Sequence, residues 1–82
     1  MNATVIVTLK PTVLDPQGLT IHRSLASLGF SGVEGVRQGK YFQVEVSDAL
    51  TVPERERLVQ RLASEVLTNP VIESCRVVWN ES

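Results

Sequence analysis

Two hydrophobic periods alternate along this 82-residue chain, one of about two residues and one of about 3.6. Thr4-Val5-Ile6-Val7-Thr8-Leu9 is rich in β-branched residues and places Val5, Val7 and Leu9 on one face, which predicts a strand. Leu14-Asp15-Pro16-Gln17-Gly18-Leu19 reads as a helix start. Asp15 can accept from the free backbone N–H groups of the first turn, and Pro16 at the first helical position gives up no needed donor. Leu14 and Leu19 have the spacing of a hydrophobic staple, and Ile21, Leu25 and Leu28 follow at helical spacing. Gly29 can take the left-handed conformation that closes a helix, with Phe30 folding back on Leu25. Val33 to Val46 is a second β region interrupted by Arg37-Gln38-Gly39-Lys40. A two-residue turn at Gln38-Gly39 sets Val36 opposite Tyr41 and Val33 opposite Val44, with Phe42, Val44 and Val46 on the core face; one long bent strand is the alternative. Thr51-Val52-Pro53-Glu54 fits a capping box, and Leu58, Leu62 and Val66, widened by Val59 and Ala63, mark the inner stripe of the next helix. Pro70 stops that helix, and Val71 to Trp79 forms the last strand.

The order β-α-β-β-α-β predicts an α+β fold of the ferredoxin-like arrangement: a four-stranded antiparallel sheet with two helices on one face. The chain reads as a single domain over residues 1–82, frayed at Met1-Asn2 and at Asn80 to Ser82. The other sheet face, with Ile6, Val36, Tyr41 and parts of Ile72 and Val78, is left uncovered and predicts a dimer surface.

Size strengthens that expectation. A domain of this length buries only roughly 60–65% of the surface its unfolded chain exposes, so it needs a staple or a partner. The single cysteine, Cys75, allows no internal disulfide, and the single histidine, His22, makes a compact zinc site an unusual one. Oligomerisation is the remedy that remains. Eight Lys and Arg against nine Asp and Glu give a net charge of −1 without clustering, which argues against a nucleic-acid footprint. The longest apolar runs are three residues, Val5–Val7 and Val77–Trp79, far short of a membrane span. With no basic, apolar leader at Met1-Asn2-Ala3-Thr4, the expected location is the cytoplasm, with Cys75 reduced.

No catalytic constellation emerges, and no metal or cofactor is expected. His22 lacks a recognisable nucleophile to activate and reads as a helix-surface residue, and Cys75 reads as a small buried hydrophobe in the last strand. Gly29, Gly32 and Gly35 run from helix to strand, the reverse of a phosphate-binding loop, and Gly39-Lys40 lacks the rest of a P-loop. Lys10 and Lys40, near strand ends, are the candidate partner-contact residues. Trp79 suits either the core or an interface. Among functions hosted by this arrangement, RNA recognition lacks its stacking aromatics, copper transfer lacks Cys-x-x-Cys, and an acylphosphatase lacks its arginine loop. An ACT-like, small-molecule-sensing dimer passes all of these tests and is the alternative reading. A remoter one is an anion-processing enzyme using Lys10 and Lys40.

Three motifs carry a resemblance. Lys10 followed by Val13-Leu14-Asp15-Pro16-Gln17-Gly18, Leu25 and Leu28-Gly29 resembles the opening of PurS proteins. Val36-Arg37-Gln38-Gly39-Lys40 resembles a second PurS segment, and Leu67 with Asn69-Pro70-Val71-Ile72-Glu73 resembles a third. The similarity runs from about Thr4 to Val78. The chain departs from the pattern at Cys75, near an aromatic position, and at Val66-Leu67-Thr68, where Leu-Leu-Ala is usual. The resemblance implies a non-catalytic subunit of phosphoribosylformylglycinamidine synthase, in de novo purine biosynthesis. In that enzyme a glutaminase subunit releases ammonia, and a large ATP-dependent synthetase subunit condenses it with formylglycinamide ribonucleotide. PurS-like proteins dimerise, bridge those two subunits and support ammonia transfer; a tetramer of two dimers is compatible with this. Nucleic acid and membrane are not among the implied partners.

Overall fold

Val5 and Val7 are fully buried, and the sheet is built around the strand that carries them. The computed structural model describes residues 1–80; Glu81 and Ser82, expected to be frayed, lie outside the described residues. The elements in chain order are β1 (Asn2–Leu9), α1 (Pro16–Ser27), β2 (Gly39–Glu45), α2 (Val52–Leu62), a π-helical turn (Ala63–Leu67) and β3 (Glu73–Asn80). β1 is central and pairs antiparallel with both neighbours, in the order β2-β1-β3. Register sets Val5 between Phe42 and Val77, Ala3 between Val44 and Trp79, and Val7 between Lys40 and Cys75. Directly paired residues share a face, so these rows form the core side, onto which Val59, Ala63, Leu67, Val46 and Leu50 pack. The opposite side carries Ile6 between Tyr41 and Arg76, and Thr4 between Gln43 and Val78. There Asn80 donates to Thr4 Oγ1 at 2.7 Å.

The helix ends follow the predicted chemistry. Asp15 caps α1 by accepting from the Gly18 N–H, with Pro16 in the first turn. At the other end Phe30 N–H bonds Leu25 O (3.0 Å) and Gly29 N–H bonds Ala26 O (3.3 Å). Gly29 has φ +87°, which completes a Schellman closure. Thr51 and Glu54 form the reciprocal capping box of α2. The helix widens into the π turn and stops at Thr68, two residues before Pro70. Asn69 to Ile72 then turn, with Glu73 N–H on Asn69 O at 2.7 Å, so β3 begins two residues later than predicted.

The four-stranded sheet is not formed: the sheet has three strands. Residues 33–38 belong to no strand, and there is no turn at Gln38-Gly39. Two causes are visible. Neither Gln38 nor Gly39 has a positive φ, which a primed two-residue turn demands at one or both central positions; among the described residues only Gly29 and Gly32 do. Gly39 is instead a strand residue paired with Thr8, and a Cβ there would sit 2.5 Å from Val7 O. The second cause is competition for hydrogen bonds, because Arg37 and Gln38 bond to the start of α1. Tyr41 and Val44 pair with Ile6 and Ala3 of β1 rather than with Val36 and Val33. Phe42, Val44 and Val46 do join the core side; Val33 stays exposed.

The helices also depart from a shared layer. α2 and the π-helical turn cover the sheet through Val59 and Ala63, while Leu58 (51% exposed) and Val66 (72%) face outward, so the inner stripe is turned from the one expected. No residue of α1 enters the core cluster, and only Gly18 of that helix is buried. α1 and residues 28–38 form an arm beside the sheet rather than a second helix on it. The molecule accordingly measures 52 × 29 × 14 Å with a radius of gyration of 16.4 Å, against about 12 Å for a compact chain of this length. Met1, by contrast with its expected fraying, is tied down. Its amine donates to Asp48 Oδ1 (2.9 Å) and Val46 O (3.2 Å), which lowers the Asp48 pKa.

Thr68 is buried with its hydroxyl unpartnered. A buried hydroxyl without a hydrogen bond costs roughly 1–3 kcal/mol. Thr68 is in extended backbone, where valine is at ease. Thr68→Val is therefore expected to stabilise the protein by about 1 kcal/mol, read as a higher urea midpoint at unchanged slope.

Candidate functional site

The three sequence motifs, far apart in the chain, meet at one pole of the sheet. β1 ends there, α1 begins there, and β2 and β3 both start there. The Lys10 N–H donates to Ile72 O at 2.9 Å, tying the first motif to the third. The Arg37 guanidinium, through Nη2, donates to Lys10 O (3.0 Å) and Val13 O (2.9 Å), tying the second to the first.

Asp15 is at the centre. It is 5% exposed, and its two oxygens have different tasks. Oδ1 accepts the Gly18 N–H at 2.8 Å and caps α1; Oδ2 accepts the Gln38 N–H at 2.7 Å and holds the returning chain. The Gln38 side chain adds a bond to Gln17 Oε1 at 2.6 Å. Gly18 must be glycine for a packing reason, since a Cβ there would lie 2.3 Å from Val36 O. Farther along the arm, His22 Nε2 lies 2.8 Å from Val33 O, so that nitrogen carries the proton and donates. Glu73 joins from the third motif: Oε1 accepts the Asn69 N–H at 2.8 Å, and Oε2 lies 3.6 Å from Lys40 Nζ.

A cleft of about 160 Å³ remains between these groups, lined by Leu9, Asp15, Gln17, Gln38, Lys40 and Glu73 among others. Its electrostatics favour holding over chemistry. The N–H groups of Gln38, and next of Gly18, stabilise the Asp15 carboxylate and lower its pKa from the ordinary 3.8. Each oxygen of Asp15 is committed to a backbone N–H, which fits a structural role for the carboxylate. The Lys40 ammonium is mostly exposed, so its pairing with Glu73 is weak and leaves donors facing solvent. Among the described residues no three His, Cys, Asp or Glu side chains gather as a metal site would require.

The sequence-predicted contact residues Lys10 and Lys40 thus fall at this same pole. His22 and Cys75 do not join it: His22 fastens the arm, and Cys75 is half-buried on the core side opposite Val7. Sequence reasoning saw Asp15 only as a cap. It missed Arg37, the Gln17–Gln38 pair and the second role of Asp15, although all of them lie inside the three motifs.

Comparison with known proteins gives a consistent result. Residues 2–81 match the family model for PurS, described as phosphoribosylformylglycinamidine (FGAM) synthase. The PurS subunit of that synthase from Archaeoglobus fulgidus is 36% identical over 81 residues, covering 99% of this chain and all of the relative. The Bacillus subtilis PurS structure superposes with a TM-score of 0.85 at 34% identity, covering 98% of each chain. A chain in the structure of PurLQS from Thermotoga maritima superposes at 0.75 with 32% identity, covering 94% of each. No helix among the described residues is long and apolar enough to cross a membrane.

The lowered pKa of Asp15 carries a signed expectation. Its contribution to stability is complete above the unfolded-state value of about 3.9 and is lost as pH falls through the lower folded-state value. Asp15→Asn sets an amide against the Gln38 or the Gly18 N–H and removes that contribution. The melting temperature of the variant should therefore lie below wild type from pH 5 to 7, with the gap closing below about pH 4. A gap that stays constant down to pH 2 contradicts the latch.

Proposed function

The chain belongs to the PurS family of phosphoribosylformylglycinamidine synthase, and on that premise we propose that it is the small, non-catalytic subunit of this enzyme, joining its glutaminase and large synthetase subunits in the cytoplasm. One observation carries the non-catalytic role: the motif side chains are engaged with one another. Both oxygens of Asp15, both of Glu73, the Arg37 guanidinium and the Gln17–Gln38 pair are all taken up by partners within the chain. In this reading the motifs maintain a shape, and the shape is what the other subunits bind. A second copy of the chain is a further partner, which suits the exposed apolar residues of both the arm and α2.

Ammonia explains why such a part is useful. Near neutral pH it is mostly protonated, and ammonium is no nucleophile, so ammonia released into bulk water is largely lost to the synthesis. Docking the glutaminase against the synthetase keeps it out of water between the two sites. This subunit provides the docking and takes no part in ATP-dependent activation of the amide.

Withholding the protein from the reconstituted enzyme separates docking from chemistry. Glutamine-driven turnover should collapse and recover on adding the protein back, while turnover with high external ammonium stays nearly unchanged. Parallel loss and recovery of both rates contradicts the proposal. Lys10 and Lys40 supply partner-facing charge at the motif pole. Lys10→Glu and Lys40→Glu should each weaken association with the other subunits, more at low salt than at high salt. Equal binding by wild type and both variants across a salt series removes them from the interface.

A further inference from the structure

We propose that the cleft at the motif pole binds a small zwitterion, a free α-amino acid with a short side chain, its carboxylate on the Lys40 ammonium and its ammonium on the Glu73 carboxylate. Leu9, Gln17, Gln38, Gly39, Lys40 and Glu73 line this cleft. Its two opposite charges are mounted differently. Glu73 is nearly covered, with 12% of its side chain exposed, and the bond from the Asn69 N–H to Oε1 fixes its direction. Lys40 is 61% exposed, on a flexible stem that can follow a ligand. Their mutual contact is 3.6 Å, too long for a hydrogen bond. Each therefore keeps hydrogen-bonding capacity for a ligand. A solvent-facing pair of this kind contributes so little that a ligand parting the two charges gives up almost nothing.

The surroundings select a zwitterion over a simple cation or anion. Asp15 also lines the cleft, but its charge is already answered by the Gly18 and Gln38 N–H groups and by the N-terminal end of α1. Lys40 and Glu73 are left as the charges a ligand meets. A lone anion is repelled by Glu73 and a lone cation by Lys40, whereas an α-amino acid satisfies both. The bond between Gln38 Nε2 and Gln17 Oε1 uses one donor and one acceptor. The pair of amides still has N–H groups for a carboxylate and a carbonyl oxygen for an ammonium. Size sets the rest. A volume of about 160 Å³ holds about five water-sized groups at roughly 30 Å³ each, close to glycine or alanine. Half-buried Leu9 gives a short side chain an apolar wall.

The full chain, titrated with glycine and with L-alanine and followed by proton–nitrogen correlation NMR, tests the site. Saturable shifts should centre on the backbone N–H groups of Gln38, Gly39 and Lys40 and on the side-chain amides of Gln17 and Gln38. Acetate and methylammonium each carry one of the two charges. Each should bind about tenfold more weakly than glycine, the loss of one charge-assisted hydrogen bond. Glu73→Gln keeps an acceptor for the Asn69 N–H, and Lys40→Met changes a side chain that is mostly exposed. Each substitution should weaken glycine binding by a similar factor. No saturable shift, shifts centred elsewhere, or acetate or methylammonium binding as tightly as glycine overturns the proposal. Unchanged glycine binding by Lys40→Met does so as well. Assembly with the other subunits is read by turnover and association, so neither result bears on it.

Discussion

The carboxylate of Asp15 is the constraint on which the rest of the architecture depends. One oxygen starts α1 and the other takes the backbone N–H of Gln38, 23 residues later. That second bond withdraws the returning chain from any hairpin with β2 and fastens it to the start of α1. The sheet therefore has three strands, and α1 stands off its own core. Arg37, bonding the Lys10 and Val13 carbonyls, acts in the same direction. The close approach of Gly18 to the Val36 carbonyl leaves no room for the arm to pivot there.

This constraint divides the labour between the ends of the molecule. The sheet with α2 is a small apolar body, closed around Val5, Val7 and Val59. The arm is a projection whose apolar face finds no cover in the same chain. A chain of this size cannot afford to hydrate such a face alone. The geometry suits the assembly role proposed above, in which the motif residues set the position of the arm.

Much of this was legible in advance, and the legible parts share a physical character. Asp15-Pro16, the closure at Gly29-Phe30 and the capping box at Thr51-Glu54 are hydrogen-bonding patterns between residues three to five apart. Val5 and Val7 announce β1 through alternation alone. The inner stripe of α2 was harder, because Leu58-Leu62-Val66 and Val59-Ala63 both have helical spacing. The larger set reads as the buried one, yet the small Val59 and Ala63 let the helix approach the sheet closely. Of the site, the motif residues were visible as motifs, and Lys10 and Lys40 as candidate contacts. Their meeting at one pole was not, since the bonds that gather them cross 21 residues of sequence or more.

The sequence by itself determined, for the strands and helices that do form, roughly where each begins and ends, how each helix is capped, and which family the motifs resemble. Those properties rest on periodicity and on short-range bonds that each segment makes with itself. Only the tertiary structure decided that Gln38-Gly39 is no turn, that the sheet stops at three strands, and that α1 leaves its core. Each of these is a competition for one backbone donor or one apolar surface. The winner was Asp15 in the first case, and its distance along the chain keeps such a competitor out of any local pattern.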